Sequence, residues 1–302
     1  MTANPRPKRT WQRVDGVLLL DKPQGMTSNA ALQSARRLYS AAKAGHTGTL
    51  DPMATGLLPL CFGEATKFSA DLLEADKTYE AEVLFGVTTN TGDADGEVLE
   101  RSVPAFGLAA LETAMQAFRG TIRQIPPMYS ALKKDGQPLY RLARQGVEIE
   151  RDAREVTILE LRLLEFSGDR CRLRVTCSKG TYIRTLAEDL GRALACGAHL
   201  TALRRVAVGS LSIERAVTLD TLDRLREDER SRWLLPPDSL LQSLPEVILD
   251  RQDAQRFSHG NPVVTVPSAS GKCRVYCEGR LLGVGTADGS GTLQPSRLVA
   301  SN

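Results

Sequence analysis

Apolar residues along the chain follow two periods, one typical of strands and the other of helices. Alternation predicts strands over 79–87, 156–166 and 171–177, and an unbroken apolar run at 16–20 predicts a short buried strand. The strand over 156–166 turns three leucines to the same face: Leu159, Leu161 and Leu163. In the strand over 171–177 the alternation points Cys171, Leu173, Val175 and Cys177 inward.

Helical spacing predicts three helices before residue 150. The first begins at a cap formed by Thr27 or Ser28, where a side-chain oxygen can accept from a free backbone N–H. The second covers 111–118, and the third begins near Leu139 and ends at Gly146.

A fourth predicted helix carries an arginine beside its apolar stripe. The stripe consists of Ile183, Leu186, Ala187 and Leu190, with the spacing i, i+3, i+4 and i+7. Gly191 is expected to end this helix. Arg184 lies one position off the stripe, so its side chain can reach inward to a carboxylate.

One loop, 45–59, combines glycine, threonine and proline with a single histidine and a single aspartate. Its sequence is GHTGTLDPMATGLLP, in which His46 and Asp51 are the residues with chemistry to offer. The glycines allow unusual backbone conformations, and Pro52 fixes the geometry just after Asp51. The pattern alone also fits an ordinary turn-rich connection, because turns use the same residues.

The acidic stretch NTGDADG at 90–96 predicts a hairpin turn. A calcium loop is the alternative, but neither register of an EF-hand places Glu at its last position, which would be Ser102 or Pro104. We therefore expect a hairpin turn between the strand over 79–87 and residues 97–99.

Composition changes the picture little. The 302 residues include 39 basic and 36 acidic side chains, a balance that does not by itself indicate a nucleic-acid partner. The six cysteines form no C-x-x-C pair, which disfavours a zinc site. No apolar run approaches the length of a membrane span, and the apolar run 17–20 is too short for the h-region of a signal peptide. We therefore expect a reduced, cytoplasmic protein without a membrane partner.

The domain organisation follows from a change after residue 220. Residues 221–245 are first charged and then rich in proline, which predicts a helix followed by a linker. A small β-rich unit begins at Glu246 and contains a hairpin with a turn at Glu278–Gly279. We divide the chain into a disordered basic lead at 1–13, a main domain at 14–245 and a small domain at 246–302.

Six collinear segments resemble one known family. They are GVLLLDKPQGMTSN (16–29), GHTGTLDPMATGLLP (45–59), DKTYEAEVLFGVTTNTGDADG (76–96), RGTIRQIPPMYSALKKDGQPLYRLARQG (119–146), CSKGTYIRTLAEDLG (177–191) and GAHLTALRRVAVGSL (197–211). In their order and spacing they resemble the bacterial tRNA pseudouridine-55 synthases, the TruB family. The resemblance covers nearly all of residues 14–250.

The resemblance implies a fold and a reaction. The fold is an α/β (α+β) pseudouridine synthase domain, in which helices flank a mixed, largely antiparallel sheet, followed by a small β-rich PUA-like domain that binds RNA. The reaction is the isomerisation of one uridine in the T loop of tRNA, with no cofactor and no metal. We expect a monomer that binds the T stem-loop.

The resemblance also assigns roles to residues of this chain. Asp51 matches the catalytic aspartate, Arg184 the arginine that pairs with it, and Tyr79 the tyrosine that stacks on the base and can also accept a proton. Attack on C1′, addition to C6 and a glycal route all stay open. The remaining matches are His46, Tyr182 and Leu203 as substrate contacts and Lys22, Pro23 and Gly48 as structural support of the site.

Two further interpretations concern RNA. The basic segments 133–144 and 204–205 are candidates for contacts with T-arm phosphates. A tRNA-binding or tRNA-folding module with secondary or lost catalysis is the alternative to an isomerase. A hydrolase with an aspartyl nucleophile is disfavoured, because Met53 stands where a second acidic residue would be needed.

Overall fold

A ten-stranded mixed sheet forms the centre of the computed structural model, which describes residues 10–130, 132–134, 136–264 and 270–300. Its strands, together with two small two-stranded ladders, are β1 (Gly16–Lys22), β2 (Ala44–His46), β3 (Thr55–Phe62), β4 (Lys77–Phe85), β5 (Val87–Thr89), β6 (Val98–Arg101), β7 (Gly120–Gln124), β8 (Lys133–Lys134), β9 (Gln137–Pro138), β10 (Arg154–Ser167), β11 (Arg170–Cys177), β12 (Ala198–Val208), β13 (Leu211–Ser212) and β14 (Leu234–Leu235). The ladders pair β5 with β6 and β8 with β9.

The main path of the sheet runs β14-β1-β3-β12-β4-β11-β10-β7, with β2 on β3 and β13 on β12. Strands β3 and β12 are parallel, and the other neighbours within the described residues are antiparallel. The expected mixed, largely antiparallel sheet is therefore confirmed. Besides short 3-10 helices, seven α-helices lie in the described residues of this part of the chain: α1 (Ser28–Leu38), α2 (Ser69–Leu73), α3 (Leu108–Gln116), α4 (Leu139–Arg144), α5 (Ile183–Ala193), α6 (Leu219–Arg224) and α7 (Glu227–Arg230).

The sheet is covered on both faces, as the continuous apolar run of β1 predicts. Leu18 and Leu20 point into the core beneath α1 and α5, and Val17 and Leu19 into a second core on the opposite face. A strand buried on both sides needs apolar residues at every position, which explains why β1 shows no alternation.

Helix α1 begins where the sequence predicts and uses Thr27 as its cap. The Thr27 hydroxyl accepts from the backbone N–H of Ala30 at 3.1 Å. Ser28, the alternative cap, is the first helical residue and is buried, so its hydroxyl is free for another task.

Two predictions about element geometry are wrong. A β-bulge between Ile158 and Glu160 breaks the alternation of β10, so Leu161 is buried whereas Leu159 is 57 % exposed. Helix α5 continues past Gly191 to Ala193. Gly191 is needed for a close approach, since a Cβ there would lie 2.3 Å from the backbone nitrogen of Ala198.

The predicted linker also has a different structure. Residues 234–235 form β14, which pairs with Val17 and Leu18 at one edge of the main sheet. Just before it, Arg230 donates to the carbonyl of Leu38 at the end of α1. Within the proline-rich stretch, Leu240 and Leu241 are buried in the same core as Val17 and Leu19 of β1.

The predicted disordered lead lies partly outside the described residues, which begin at residue 10. The guanidinium of Arg36 stacks over the ring of Trp11, with 4.4 Å between Cζ and the ring centroid. Gln12 forms an isolated β-bridge with Ala41. The structure thus gives residues 11 and 12 contacts with the main domain, and the disordered lead stays a prediction.

A second, five-stranded sheet occupies the C-terminal part, in the order β15-β17-β18-β19-β16. Its elements are β15 (Glu246–Ile248), α8 (Arg251–Ser258), β16 (Val263–Val264), β17 (Gly271–Cys277), β18 (Arg280–Ala287) and β19 (Thr292–Leu298). The predicted hairpin joins β17 to β18 through Glu278 and Gly279, whose φ angles of 48° and 74° are those of a tight hairpin turn. The expected β-rich C-terminal unit is confirmed, and the domain division at residue 245 stays a prediction.

Helices in the described part of the chain are too short or too polar to cross a lipid bilayer.

Gly191→Ala should lower the free energy of unfolding by about 1–3 kcal/mol, because the methyl group would overlap the backbone of β12. Urea denaturation of the purified protein measures this effect. Gly45→Ala is the matched control, since nothing lies within 4 Å of the added Cβ. Equal denaturation midpoints for both variants and the wild type would contradict the explanation given for Gly191.

Candidate active site

A cavity of about 280 Å³ opens where the loop between β2 and β3 meets the start of α5. Five of the residues that the sequence singles out line it: Asp51, Tyr79, Tyr182, Arg184 and Leu203. Ser130, which the sequence did not single out, completes the same wall. Residues far apart in sequence therefore meet around one carboxylate.

Lys22 anchors the loop from below. It is fully buried at the end of β1, and its ammonium donates to the carbonyls of Pro23 and Met26 at 2.8 and 2.6 Å, with Pro52 of the loop 3.4 Å away. The backbone N–H of Gly25 also donates to the Pro52 carbonyl, at 2.8 Å. These contacts fix the residue that follows Asp51.

Ser28 anchors the residue that precedes Asp51. Its hydroxyl accepts from the Leu50 backbone N–H at 2.8 Å and donates to the Leu50 carbonyl at 3.0 Å. The sequence missed this role, although Ser28 was one of the two candidate caps. Because Thr27 caps α1, the Ser28 hydroxyl is available to hold the loop.

Asp51 and Arg184 form an ion pair in the cavity. The guanidinium Nη2 lies 3.0 Å from Asp51 Oδ2, and only 5 % of the Arg184 side chain is exposed. Two backbone carbonyls fix the guanidinium from other sides: Nη1 donates to Thr91 at 2.8 Å and Nη2 to Tyr129 at 2.6 Å. Arg184 is thus held by the protein before any substrate arrives.

Asp93 is a second carboxylate on the same arginine. Its Oδ2 lies 3.6 Å from Arg184 Nε, and its Oδ1 accepts from the Thr91 hydroxyl at 2.6 Å. Asp93 is 5 % exposed and comes from the acidic turn between β5 and β6. The sequence predicted the turn but missed that its first aspartate faces Arg184.

Burial opposes ionisation of the Asp51 carboxyl, and the arginine favours it. Asp51 reaches solvent through the cavity mouth, with 38 % of its side chain exposed, but protein atoms replace much of its hydration. Burial raises the pKa of Asp51, the Arg184 guanidinium lowers it, the Asp93 charge raises it and the Lys22 ammonium lowers it. Burial also lowers the pKa of Lys22, to about 8.

Burial is the largest influence on the pKa of the two tyrosines, as it is for Asp51. Burial raises the pKa of the Tyr79 hydroxyl, partly offset by Arg205, and it raises the pKa of Tyr182 as well. Both phenols are therefore protonated at neutral pH. Their rings, with Leu203, supply the apolar faces of the cavity.

His46 and Gly48 belong to the same part of the chain as Asp51 but do not line the cavity, and their predicted roles stay predictions. His46 ends β2 opposite Leu60, and its buried Nδ1 has no hydrogen-bond partner among the described residues. Burial and the nearby Arg205 lower the pKa of His46, which favours the neutral imidazole. Gly48 has a φ of 74°, a conformation that glycine adopts without strain.

The prediction that the segment 204–205 contacts phosphates is wrong for Arg205. Its side chain is 1 % exposed and donates to the carbonyls of Leu57 and Gly48. Arg204 is partly exposed and pairs with Asp21 at 2.7 Å. The described part of the segment 133–144 forms the β8–β9 ladder and α4, with Arg141 and Arg144 in its last turn.

Among the described residues, no group of three His, Cys, Asp or Glu side chains is placed to hold a metal ion.

Known proteins match this chain along its whole length. Residues 36–183 match the TruB family pseudouridylate synthase N-terminal domain, 184–242 the tRNA pseudouridylate synthase B C-terminal domain, and 245–299 the C-terminal domain of pseudouridine synthase II TruB. A relative in Dechloromonas aromatica (strain RCB), called tRNA pseudouridine synthase B, is 61 % identical over 97 % of this chain and 98 % of its own length. The chain belongs to the TruB family of pseudouridine synthases.

Other TruB relatives and solved structures agree with this placement. A tRNA pseudouridine synthase B of Burkholderia mallei (strain ATCC 23344) is 56 % identical over 99 % of both chains. A chain of a Cbf5-Nop10-Gar1 complex is 25 % identical with a TM-score of 0.70, over 94 % of this chain and 84 % of that one. A chain of an H/ACA RNP bound to a substrate RNA containing 2′-deoxyuridine is 22 % identical with a TM-score of 0.72, over 99 % and 92 % of the two chains, and shares the fold.

Asp93→Asn should shift the pH dependence of pseudouridine formation by this TruB protein. The Asp93 charge raises the pKa of Asp51, so its removal lowers that pKa. The acidic limb of the rate, where Asp51 takes up a proton, should then move to lower pH. Single-turnover rates measured across the acidic range test this.

Asp95→Asn is the matched control, because Asp95 contacts Asp93 through its backbone N–H and its side chain is exposed. Its profile should equal that of the wild type. An acidic limb that stays in place or moves to higher pH in Asp93→Asn would contradict the electrostatic description of the site.

Proposed function

We propose that this protein converts one uridine to pseudouridine in the T loop of tRNA, at position 55, with Asp51 as the catalytic carboxylate. The observation that supports this most strongly is the ion pair between Asp51 and the buried Arg184 at the wall of a small cavity. Relatives at 54–61 % identity are named tRNA pseudouridine synthase B, which supports tRNA as the substrate.

The cavity fits one nucleobase. Its volume of about 280 Å³ is at the small end of ligand pockets. A base within a folded RNA is stacked and cannot reach Asp51, so the target nucleotide leaves its stack and enters the cavity. We assign Tyr79 as the stacking face and Tyr182 and Leu203 as further contacts with the flipped nucleotide, with His46 beside it.

The reaction is an isomerisation in which atoms are conserved. The bond from N1 of uracil to C1′ breaks, the base turns, and a bond from C5 to C1′ forms. The proton on C5 leaves, and the freed N1 gains one, so no net proton or electron is exchanged. An ionised carboxylate can add to a carbon or stabilise positive charge on the ribose without prior activation, which is the role we give Asp51.

Arg184 keeps this carboxylate ionised in a partly dry cavity. Burial alone favours the protonated acid, and the guanidinium at 3.0 Å opposes that effect. Since Thr91 and Tyr129 carbonyls hold the guanidinium, Asp51 is charged and oriented in advance. Routes through C1′, C6 and a glycal all require this charged state.

Basic residues beside the cavity are our candidates for contacts with RNA phosphates. The carbonyl of Ser130, in the cavity wall, accepts from the Tyr140 backbone N–H at the start of α4, so this helix is joined directly to the site. Arg141 and Arg144 of α4 can approach phosphates of the T arm, which makes affinity salt-dependent. We assign a further RNA contact to the C-terminal sheet, and we propose a monomer that acts in the cytoplasm.

Incubation of the purified protein with a T stem-loop RNA, followed by mapping of pseudouridine, tests the proposed function. Conversion should occur at position 55 without added metal. Pseudouridine at a different position would contradict the proposed site, and its complete absence would contradict the function.

Asp51→Asn should abolish this conversion and leave RNA affinity within about threefold, because the amide cannot supply the charge while the basic surface is unchanged. Turnover is measured by pseudouridine mapping, and affinity by fluorescence anisotropy of labelled RNA. Asp95→Asn, on the exposed side of the acidic turn, is the matched control and should retain turnover. Turnover retained in Asp51→Asn would overturn the role of Asp51, and an inactive wild type that binds RNA tightly would favour a tRNA-binding or tRNA-folding module.

A further inference from the structure

Arg205 is a buried cation that lies directly beneath the cavity. It stands on β12 opposite Tyr79 of β4, so the two side chains share one face of the sheet. Its side chain is 1 % exposed, and no carboxylate in the described part of the chain forms an ion pair with it. Burying a charge without a carboxylate partner costs free energy, and hydrogen bonds to the guanidinium offset part of that cost.

The hydrogen bonds of Arg205 hold the loop that carries Asp51. Nε donates to the Leu57 carbonyl just after the loop at 2.7 Å, and Nη2 donates to the Gly48 carbonyl near its start at 3.2 Å. The guanidinium also lies close to the Tyr79 hydroxyl, and its positive charge lowers the pKa of that hydroxyl. One rigid, planar group therefore binds both ends of the loop and lies beside the tyrosine that lines the cavity.

Glycines make room for this arrangement. A Cβ at Gly56 would lie 2.3 Å from the Arg205 carbonyl oxygen, so β3 can approach β12 only with glycine at that position. A Cβ at Gly48 would lie 3.5 Å from Arg205 Nη1, at ordinary contact distance. The loop and strand therefore close directly around the arginine.

We propose that Arg205 is a positioning residue for the isomerisation: it fixes the loop that carries Asp51 and the Tyr79 hydroxyl relative to each other. The inference rests on the proposed function. Arg205 reaches neither the cavity nor the surface, so it acts through Asp51 and Tyr79 and not through RNA. This is the opposite of the phosphate contact that the sequence predicts for it.

Because the positive charge of Arg205 attracts the Tyr79 hydroxyl oxygen, the hydroxyl proton of Tyr79 is favoured to point away from the guanidinium. No carbonyl or carboxylate of the described residues accepts that proton, and Tyr79 lines the cavity. The proton is therefore available to a polar atom of the flipped nucleotide. Arg205 would thus set both the position of the ring and the direction in which its hydroxyl donates.

Single-turnover kinetics of Arg205→Lys and Arg205→Gln with T stem-loop RNA test the proposal. Lysine keeps the charge, but its single ammonium cannot replace the planar fork that binds the Leu57 and Gly48 carbonyls. The maximal rate should fall by about tenfold or more, as expected when reacting groups lose their fixed geometry. The RNA concentration at half-maximal rate and the salt dependence should stay within about twofold of wild type, because no phosphate contact is lost.

Tyr79→Phe distinguishes a positioning role from a general loss of structure. A general loss of structure would make Arg205→Lys slow the wild type and the Tyr79→Phe enzyme by the same factor. If Arg205 positions the Tyr79 hydroxyl, then Arg205→Lys should slow the Tyr79→Phe enzyme less than it slows the wild type, since neighbours that act together are not additive. Arg119→Gln is the matched control: Arg119 also donates to a backbone carbonyl, that of Leu161, outside the cavity. Its rate should equal that of wild type.

The following results would overturn the proposal. A folded Arg205→Lys enzyme with an unchanged maximal rate excludes a positioning role, and weaker RNA binding with a reduced salt dependence would make Arg205 a phosphate contact. Additive effects of Arg205→Lys and Tyr79→Phe would exclude the coupling. A wild type that forms no pseudouridine overturns the proposed function and the inference with it, whereas an active wild type with unaffected Arg205 variants overturns the inference alone.

Discussion

The ion pair between Asp51 and Arg184 is the contact on which the site depends. A carboxylate at the base of a small cavity loses hydration, and that loss favours the neutral acid. The guanidinium 3.0 Å away opposes it and is itself too deeply buried to move freely. Much of the surrounding structure can be understood as a support for these two side chains.

The support comes from segments that are distant in sequence. Lys22 and Ser28 hold the loop residues on either side of Asp51, while carbonyls of Thr91 and Tyr129 hold Arg184. The parallel pairing of β3 with β12 brings the end of the loop beside Arg205. Because the sheet is buried on both faces, these positions are fixed by packing as well as by hydrogen bonds.

Local patterns predicted most of the elements, and the resemblance to the TruB family predicted the sheet type and which side chains meet. Thr27 caps α1 and β11 alternates as expected, because both depend on residues close in sequence. The errors arise where a distant contact decides. The bulge at Ile158–Glu160 turns Leu159 outward, and Gly191 serves the approach of β12 instead of ending α5.

The missed site residues have the same cause. Asp93 has the sequence context of a hairpin turn, and only the fold shows that it faces Arg184. Arg205 has the sequence context of an exposed basic residue, and only the pairing of β12 with both β3 and β4 shows that it is buried. Residue type identifies charged side chains, but it does not show which of them are buried at the site and which are exposed.

The central claim is that Arg184 keeps Asp51 ionised, and titration of the Asp51 carboxyl tests it most directly. Carbon-13 NMR of protein labelled at aspartate side-chain carboxyls gives the midpoint, with the Asp51 signal identified by its absence in Asp51→Asn. We predict a pKa above the usual aspartate value in the wild type and a further rise in Arg184→Met, since the guanidinium lowers this pKa. An unchanged or lower midpoint in Arg184→Met would contradict the account.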